Sequence, residues 1–314
     1  MRFLAEESLY RNTAEALAHL RTLDGDAGAS PDSHYRFHMY LRGPFTRKLA
    51  FAVKSFLVTQ DLGASELWLW LDRDQGYEGW RAHPLLRSLA PFLEVRCYDP
   101  AVEAAGTPLE SHEALVEATD PLARSDAFRL IALYRHGGIY VDADTMFLRD
   151  LGPLLRDPEA AEFSGCWSSK PYGNSAILRL RQGGEVASAL LGRAAELGSC
   201  HPRLLLPFEE NADLDLLTLP SAYFDPLWLH RDGRDRYADA PFDRFEDFFR
   251  PFGWRFRRKP DIRSFRDFFP GAFAYHWHGL GDAREHENSY FGAFERELER
   301  LMPASAPRSA RMSA

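Results

Sequence analysis

Asp142 and Asp144 stand one residue apart at the end of the apolar run Ile139 to Val141. In an extended chain alternate residues point to the same face, so both carboxylates can present oxygen to one side. Like charges that close repel one another unless a cation lies between or beside them. Oxygen ligands suit hard ions such as Mg²⁺ and Mn²⁺, which proteins often hold with one or two carboxylates plus the phosphates of a substrate. The chemistry this spacing suggests is a metal that grips a diphosphate. Upstream, Asp126 and Arg129 lie three apart, hence side by side on a helix. The Arg129 fork matches a phosphate or a carboxylate, with an ordinary exposed ion pair as the bland alternative.

The elements that must position these groups are marked in the sequence. Asp120 caps a helix, Pro121 suits its first turn and Gly137 takes a left-handed conformation past its end. Ala127, Leu130, Ile131 and Tyr134 fall at helical spacing and make its core face. Gly137 and Gly138 then break the helix before a short apolar strand that delivers the two aspartates.

The whole run, SDAFRLIALYRHGGIYVDAD from Ser125 to Asp144, fits the pattern SDxxRxxxLxxxGGIYxDxD. It resembles the sugar-binding region of DXD glycosyltransferases, the class of the α-1,4-galactosyltransferases, the yeast initiating mannosyltransferase and the clostridial glucosylating toxins. About twenty contiguous residues carry the likeness, far more than a bare DxD. The resemblance implies a GT-A type α/β fold, a UDP- or GDP-sugar donor, a divalent metal (commonly Mn²⁺, or Mg²⁺) and retention of anomeric configuration. By match it gives Asp126, Arg129, Tyr140 and Asp142 to donor binding, and Asp142 and Asp144 to the metal.

The N-terminal part reads as a helix over residues 6–23 and a Gly/Pro-broken linker to residue 34. The catalytic domain, expected over 35–300, begins with an aromatic strand from Tyr35 to Gly43 and a helix after Pro44, on which Leu49, Val53, Phe56 and Leu57 share a face. Glu66 to Asp72 and Leu93 to Asp99 are further strands. Strands alternating with helices argue for a mainly parallel sheet whose ligands sit at the carboxyl ends of its strands. Tyr40 would lie near such an end, able to stack on a base or simply to fill the core. Asp72 and Asp74 form a second D-x-D that reads as a solvated turn.

Beyond the central motif, Glu162 to Trp167 is a strand and Glu185 to Leu197 a helix. Asn174 is a further donor-side candidate by resemblance, with a Gly-Asn turn as the structural alternative. Glu209, Glu210, Asp213 and Asp215 read as a solvated acidic loop. Residues 241–270 crowd phenylalanines with arginines, which suits an acceptor platform, a peripheral membrane patch, or a compact subdomain with arginine stems over a Phe core. In GAFAYHWHGL a short strand delivers His276 and His278 to one face, with Trp277 opposite. The family carries a C-terminal His segment that completes the metal site. His276 matches best and His278 is the reserve, although the Trp here precedes rather than follows the second His.

With 314 residues and 45% hydrophobic content the chain can bury a sizeable core. A net charge of −8 argues against general nucleic-acid binding. Cys97, Cys166 and Cys200 make neither a zinc pattern nor a disulfide framework, which favours reduced thiols and a cytoplasmic setting. Neither a signal peptide nor a transmembrane span is evident, so the chain resembles a soluble bacterial version of the class. The tail from residue 301 lacks apolar pattern and reads as disordered. The acceptor class is left open among glycan, lipid and protein. Two rivals are weighed: a non-catalytic sugar-nucleotide-binding protein of the same fold, and an aspartate phosphatase, whose D-x-D-x-T/V pattern near the start of its core domain is not met here.

Overall fold

The computed structural model describes residues 34–74, 79–155, 162–168, 170–232, 240–280 and 282–305. The expected helix over 6–23, its linker and the tail beyond residue 305 lie outside the described residues.

Seven strands form one sheet in the order β3-β2-β1-β4-β7-β6-β8. They are β1 (Tyr35–Leu41), β2 (Ser65–Asp72), β3 (Glu94–Tyr98), β4 (Gly138–Val141), β6 (Phe163–Cys166), β7 (Gly173–Leu180) and β8 (Leu217–Leu219). The first four run parallel, β7 is antiparallel to β4, and β6 pairs antiparallel with β7 and parallel with β8. A separate antiparallel pair joins β5 (Thr145–Phe147) to β9 (Ala274–His276). The four longest helices among the described residues are α1 (Arg47–Thr59), α2 (Pro121–His136), α3 (Glu185–Leu197) and α4 (Tyr290–Leu301).

The central strands are apolar on both faces because both are covered. Phe37, Met39, Leu67, Leu69, Leu71, Ile139 and Val141 face one core, shared with α1 and α4; Tyr40, Trp68, Trp70 and Tyr140 face the other, shared with α2 and α3. This is the mainly parallel α/β architecture that the resemblance implied. Arg47 and Lys54 on α1 pair with Glu295 and Glu299 on α4, tying the two helices together.

Three expectations are corrected. Asn174 does not stand in a turn but on β7, a strand the sequence did not signal, because its polar start hides an interior apolar run. Asp72 is no solvated turn residue: it is fully buried, accepts a hydrogen bond from the Tyr40 hydroxyl and pairs with Arg124 at 3.1 Å. Arg124 also reaches Asp74 at 3.1 Å and Glu117 at 2.9 Å, so a cation from α2 gathers three carboxylates. Tyr40 itself is a core residue. Phe128 stacks on it at 4.5 Å and Tyr98 meets it edge-on at 5.4 Å, so its ring offers no open face to a base.

The Phe-rich stretch resolves as the compact alternative. Phe242, Phe245, Phe248, Phe265 and Phe268 are buried around Tyr275 and Tyr290. No helix among the described residues is long and apolar enough to cross a membrane.

Candidate active site at the DXD turn

Helix α2 starts and stops as its sequence dictates. The Asp120 carboxylate accepts from the Ala123 N–H at 2.8 Å, Pro121 occupies the first turn, and the Gly137 N–H closes the last turn on Leu133. Gly137 and Gly138 both have positive φ, 62° and 102°. At Gly138 a Cβ would lie 2.4 Å from the Arg36 carbonyl oxygen, so only glycine lets β4 approach β1 here.

Strand β4 ends at Val141, and Asp142, Ala143 and Asp144 turn toward β5 rather than continuing extended. The Asp142 N–H still donates to the Ala176 carbonyl of β7 at 2.7 Å, while the Trp277 N–H donates to the Asp144 carbonyl. The turn therefore bridges the main sheet and the β5–β9 pair. It brings carboxylate oxygens of Asp142 and Asp144 and a ring nitrogen of His276 within 4.8 Å of one another. His276 Nε2 stands 3.0 Å from Asp144 and 3.9 Å from Asp142.

Behind this cluster the Asp126–Arg129 pair is buried, not exposed. Arg129 reaches Asp126 at 3.0 Å and Asp142 at 3.3 Å, donates to the Ser175 hydroxyl at 2.7 Å, and lies over the Tyr140 ring. The Tyr140 hydroxyl donates to Asp142 at 2.7 Å. Asp142 and Asp144 keep side-chain exposures of 20% and 22%, whereas Arg129 has 5%, so the aspartates form the accessible layer and Arg129 the layer beneath.

The electrostatics separate the two aspartates. Burial raises the Asp142 carboxyl above its usual range, against the pull of Arg129. Burial works on Asp144 too, but the His276 charge and hydrogen bond and the Gly279 N–H outweigh it and hold its carboxyl well below the usual range. For His276, burial disfavours the charge and Asp144 overrides it, lifting the imidazole to about 9. Burial also pushes Asp126 up to about 6 despite Arg129. Such opposed shifts on adjacent groups are a mark of functional sites.

Two carboxylates and an imidazole make an oxygen-rich donor set, which fits a hard or borderline divalent ion such as Mn²⁺ or Mg²⁺. His278, the reserve ligand, is drawn elsewhere: its Nε2 lies 2.6 Å from Asp225, with the two histidine rings 4.0 Å apart. Asn174 spends its Oδ1 on the Ala176 N–H at 2.8 Å, bracing the strand that holds Asp142. Sequence reasoning missed Ser175 and Asp225. Ser175 went unseen with β7. Asp225 had a signal, as the one charged residue in the apolar run from Leu219 to Leu229.

Residues 99–161 match the family described as the glycosyltransferase sugar-binding region containing a DXD motif. No curated protein matches the chain. Among solved structures, an active-site mutant of LgtC is 13% identical, with 88% of this chain and 99% of that one covered and a TM-score of 0.48. The PaToxG glycosyltransferase is 14% identical over 64% of this chain and 74% of its own, with a TM-score of 0.45. The bifunctional glycosyltransferase WbbM is 12% identical over 89% and 53%, with a TM-score of 0.47. The matched segment holds the capped helix, the Gly-Gly break, both aspartates and the buried pair behind them, so residues 99–161 are similar to the glycosyltransferase sugar-binding region containing a DXD motif.

Proposed function

We propose that the protein transfers a hexosyl group from a UDP- or GDP-sugar to a hydroxyl acceptor, with retention and with a divalent cation, Mn²⁺ or Mg²⁺, held by Asp142, Asp144 and His276. In that reaction the bond from the anomeric carbon to the diphosphate breaks and a bond to the acceptor oxygen forms. The acceptor loses its hydroxyl proton, and the nucleoside diphosphate departs. The observation that carries the reading is the convergence of Asp142, Asp144 and His276 in front of Arg129. A bound cation supplies positive charge against the leaving diphosphate.

The chain's own residues prepare the site. Arg129 fixes Asp142 from beneath, and Tyr140 donates to the same carboxylate, so Asp142 is oriented before any ligand arrives. The buried Asp126 holds Arg129 from the other side and is the candidate for contact with donor sugar hydroxyls. Ser175 secures β7 against this corner by accepting from Arg129, and Asn174 braces β7 from within through the Ala176 N–H.

A panel of UDP- and GDP-sugars tests the reading, with release of nucleoside diphosphate followed in Mn²⁺, in Mg²⁺ and after chelation. One donor turned over only with metal, and not by Asp144→Ala, is the expected result. NMR of the anomeric proton of the product reads the stereochemistry. Turnover that is indifferent to chelation, or a folded protein that binds a donor and never transfers it, would overturn the proposal.

A further inference from the structure

His276 stands between carboxylates on both sides of its ring. Nε2 faces Asp144 and Asp142, while Nδ1 faces Asp225 at 4.0 Å. A neutral imidazole that offers its Nε2 lone pair toward the DXD turn carries its proton on Nδ1. That nitrogen is buried and has no hydrogen-bond partner, and neither has Oδ1 of Asp225, itself only 3% exposed. A buried donor and a buried acceptor left unpaired each cost free energy, and here they belong to neighbouring side chains that approach to 4.0 Å, His276 Nδ1 to Asp225 Oδ2.

Asp225 is held in place by its own contacts. Its Oδ2 accepts from His278 Nε2, and the His278 ring is wedged between Phe245 at 4.4 Å and Trp228 at 5.5 Å. The Phe273 N–H donates to the Tyr223 carbonyl at 2.8 Å, which fastens the Asp225 loop to the strand that carries His276.

We infer that Asp225 is the positioning residue for His276: its carboxylate accepts a hydrogen bond from Nδ1–H and thereby aims the Nε2 lone pair at the cation site beside Asp142 and Asp144, while His278 orients Asp225. This rests on the reading of Asp142, Asp144 and His276 as the cation's ligands. Asp225, His276 and His278 also lie close enough to be ligands themselves. A second ion there would share His276 with the first and require a fully deprotonated, bridging imidazole, whereas one ion with a braced histidine requires none. Outer carboxylates of this kind orient metal-bound histidines and raise their basicity.

Calorimetric titration of the full chain with Mn²⁺ alone tests the inference. Wild type is expected to take up one ion, and Asp225→Asn and Asp225→Ala to bind it about 10–100-fold more weakly. Nitrogen-15 NMR of the Zn²⁺-loaded wild type should find His276 protonated at Nδ1, a readout that mere packing would not set and that stands even where a variant fails to fold. Protonation at Nε2, unchanged affinity in both variants, or a second ion lost with Asp225 would each overturn the inference and leave the DXD metal reading standing. Failure of folded wild type to bind Mn²⁺ would overturn both together.

Discussion

His38 and Gly137 are joined by a hydrogen bond whose direction a third residue decides. The Trp70 indole N–H donates to His38 Nδ1 at 3.0 Å, so Nδ1 bears the lone pair and Nε2 donates to the Gly137 carbonyl at 2.8 Å. Strand β1 thereby holds the turn that opens the DXD strand, through a neutral imidazole. Burial lowers the His38 pKa to about 3, with the backbone bond to Gly137 opposing it.

Acid should loosen this corner. The folded value lies below the ordinary 6.5, so the stability His38 contributes is complete above pH 6.5 and is lost as pH falls toward 3. One group accounts for at most about 1.4 kcal/mol per pH unit. Urea unfolding at a series of pH values should show a shallower decline between pH 6.5 and 5 for His38→Gln than for wild type.

Gly138→Ala should cost at least about 1–3 kcal/mol, through backbone strain at φ 102° together with the clash on Arg36. Gly183→Ala is the comparison, because its φ is also positive but open space surrounds it, so only about 1–2 kcal/mol is expected. Equal shifts in the denaturation midpoints would mean that the approach of β4 to β1 is not what the glycine serves.

Arg124 and Asp144 should separate stability from ligand binding. Arg124→Leu strands the buried Asp72 and should lower stability by about 3–5 kcal/mol while leaving Mn²⁺ affinity unchanged. Asp144→Asn should do the reverse, weakening Mn²⁺ by at least about 10–100-fold, the range found when even an outer partner is lost. Denaturant melts and metal titrations on the two variants check this.

Metal uptake should release a proton. His276 titrates at about 9 without metal and so is charged at neutral pH, yet it must be neutral to act as a ligand. Mn²⁺ affinity should therefore rise with pH and level off near 9. Calorimetry at pH 7 in buffers of different ionisation enthalpy should report about one proton leaving per ion. A count near zero would mean that His276 stays outside the coordination sphere.

The strands β1 to β4 and the helices α1 to α3 were legible because caps, Gly-Gly breaks and apolar runs are local signals. The convergence of Asp142 and Asp144 with His276 was legible through the pattern around Ser125 to Asp144 and the segment GAFAYHWHGL, although the extended geometry assumed for the aspartates proved to be a turn. Strand β7 was hidden because Gly173, Asn174 and Ser175 look like loop residues, and Gly173 and Asn174 become strand through pairing with Cys166 and Gly165 of β6. Asp72 and Asp225 were misread or missed for a shared reason. Burial of a carboxylate depends on a partner far along the chain, Arg124 for one and His278 for the other, and spacing carries no record of it.

The β5–β9 pair also has a bearing on how the chain acquires its site. The Gly279 N–H meets the Asp144 carboxylate across 135 residues, and His276 joins the turn over a similar span. Contacts so distant close late, since loop entropy must be overcome before they reward the chain. A chain emerging from synthesis holds both aspartates and the whole seven-stranded sheet before His276 has been made. The cluster of Asp142, Asp144 and His276 is therefore complete only once β9, the last strand among the described residues, has paired with β5, as a checkpoint on completed folding.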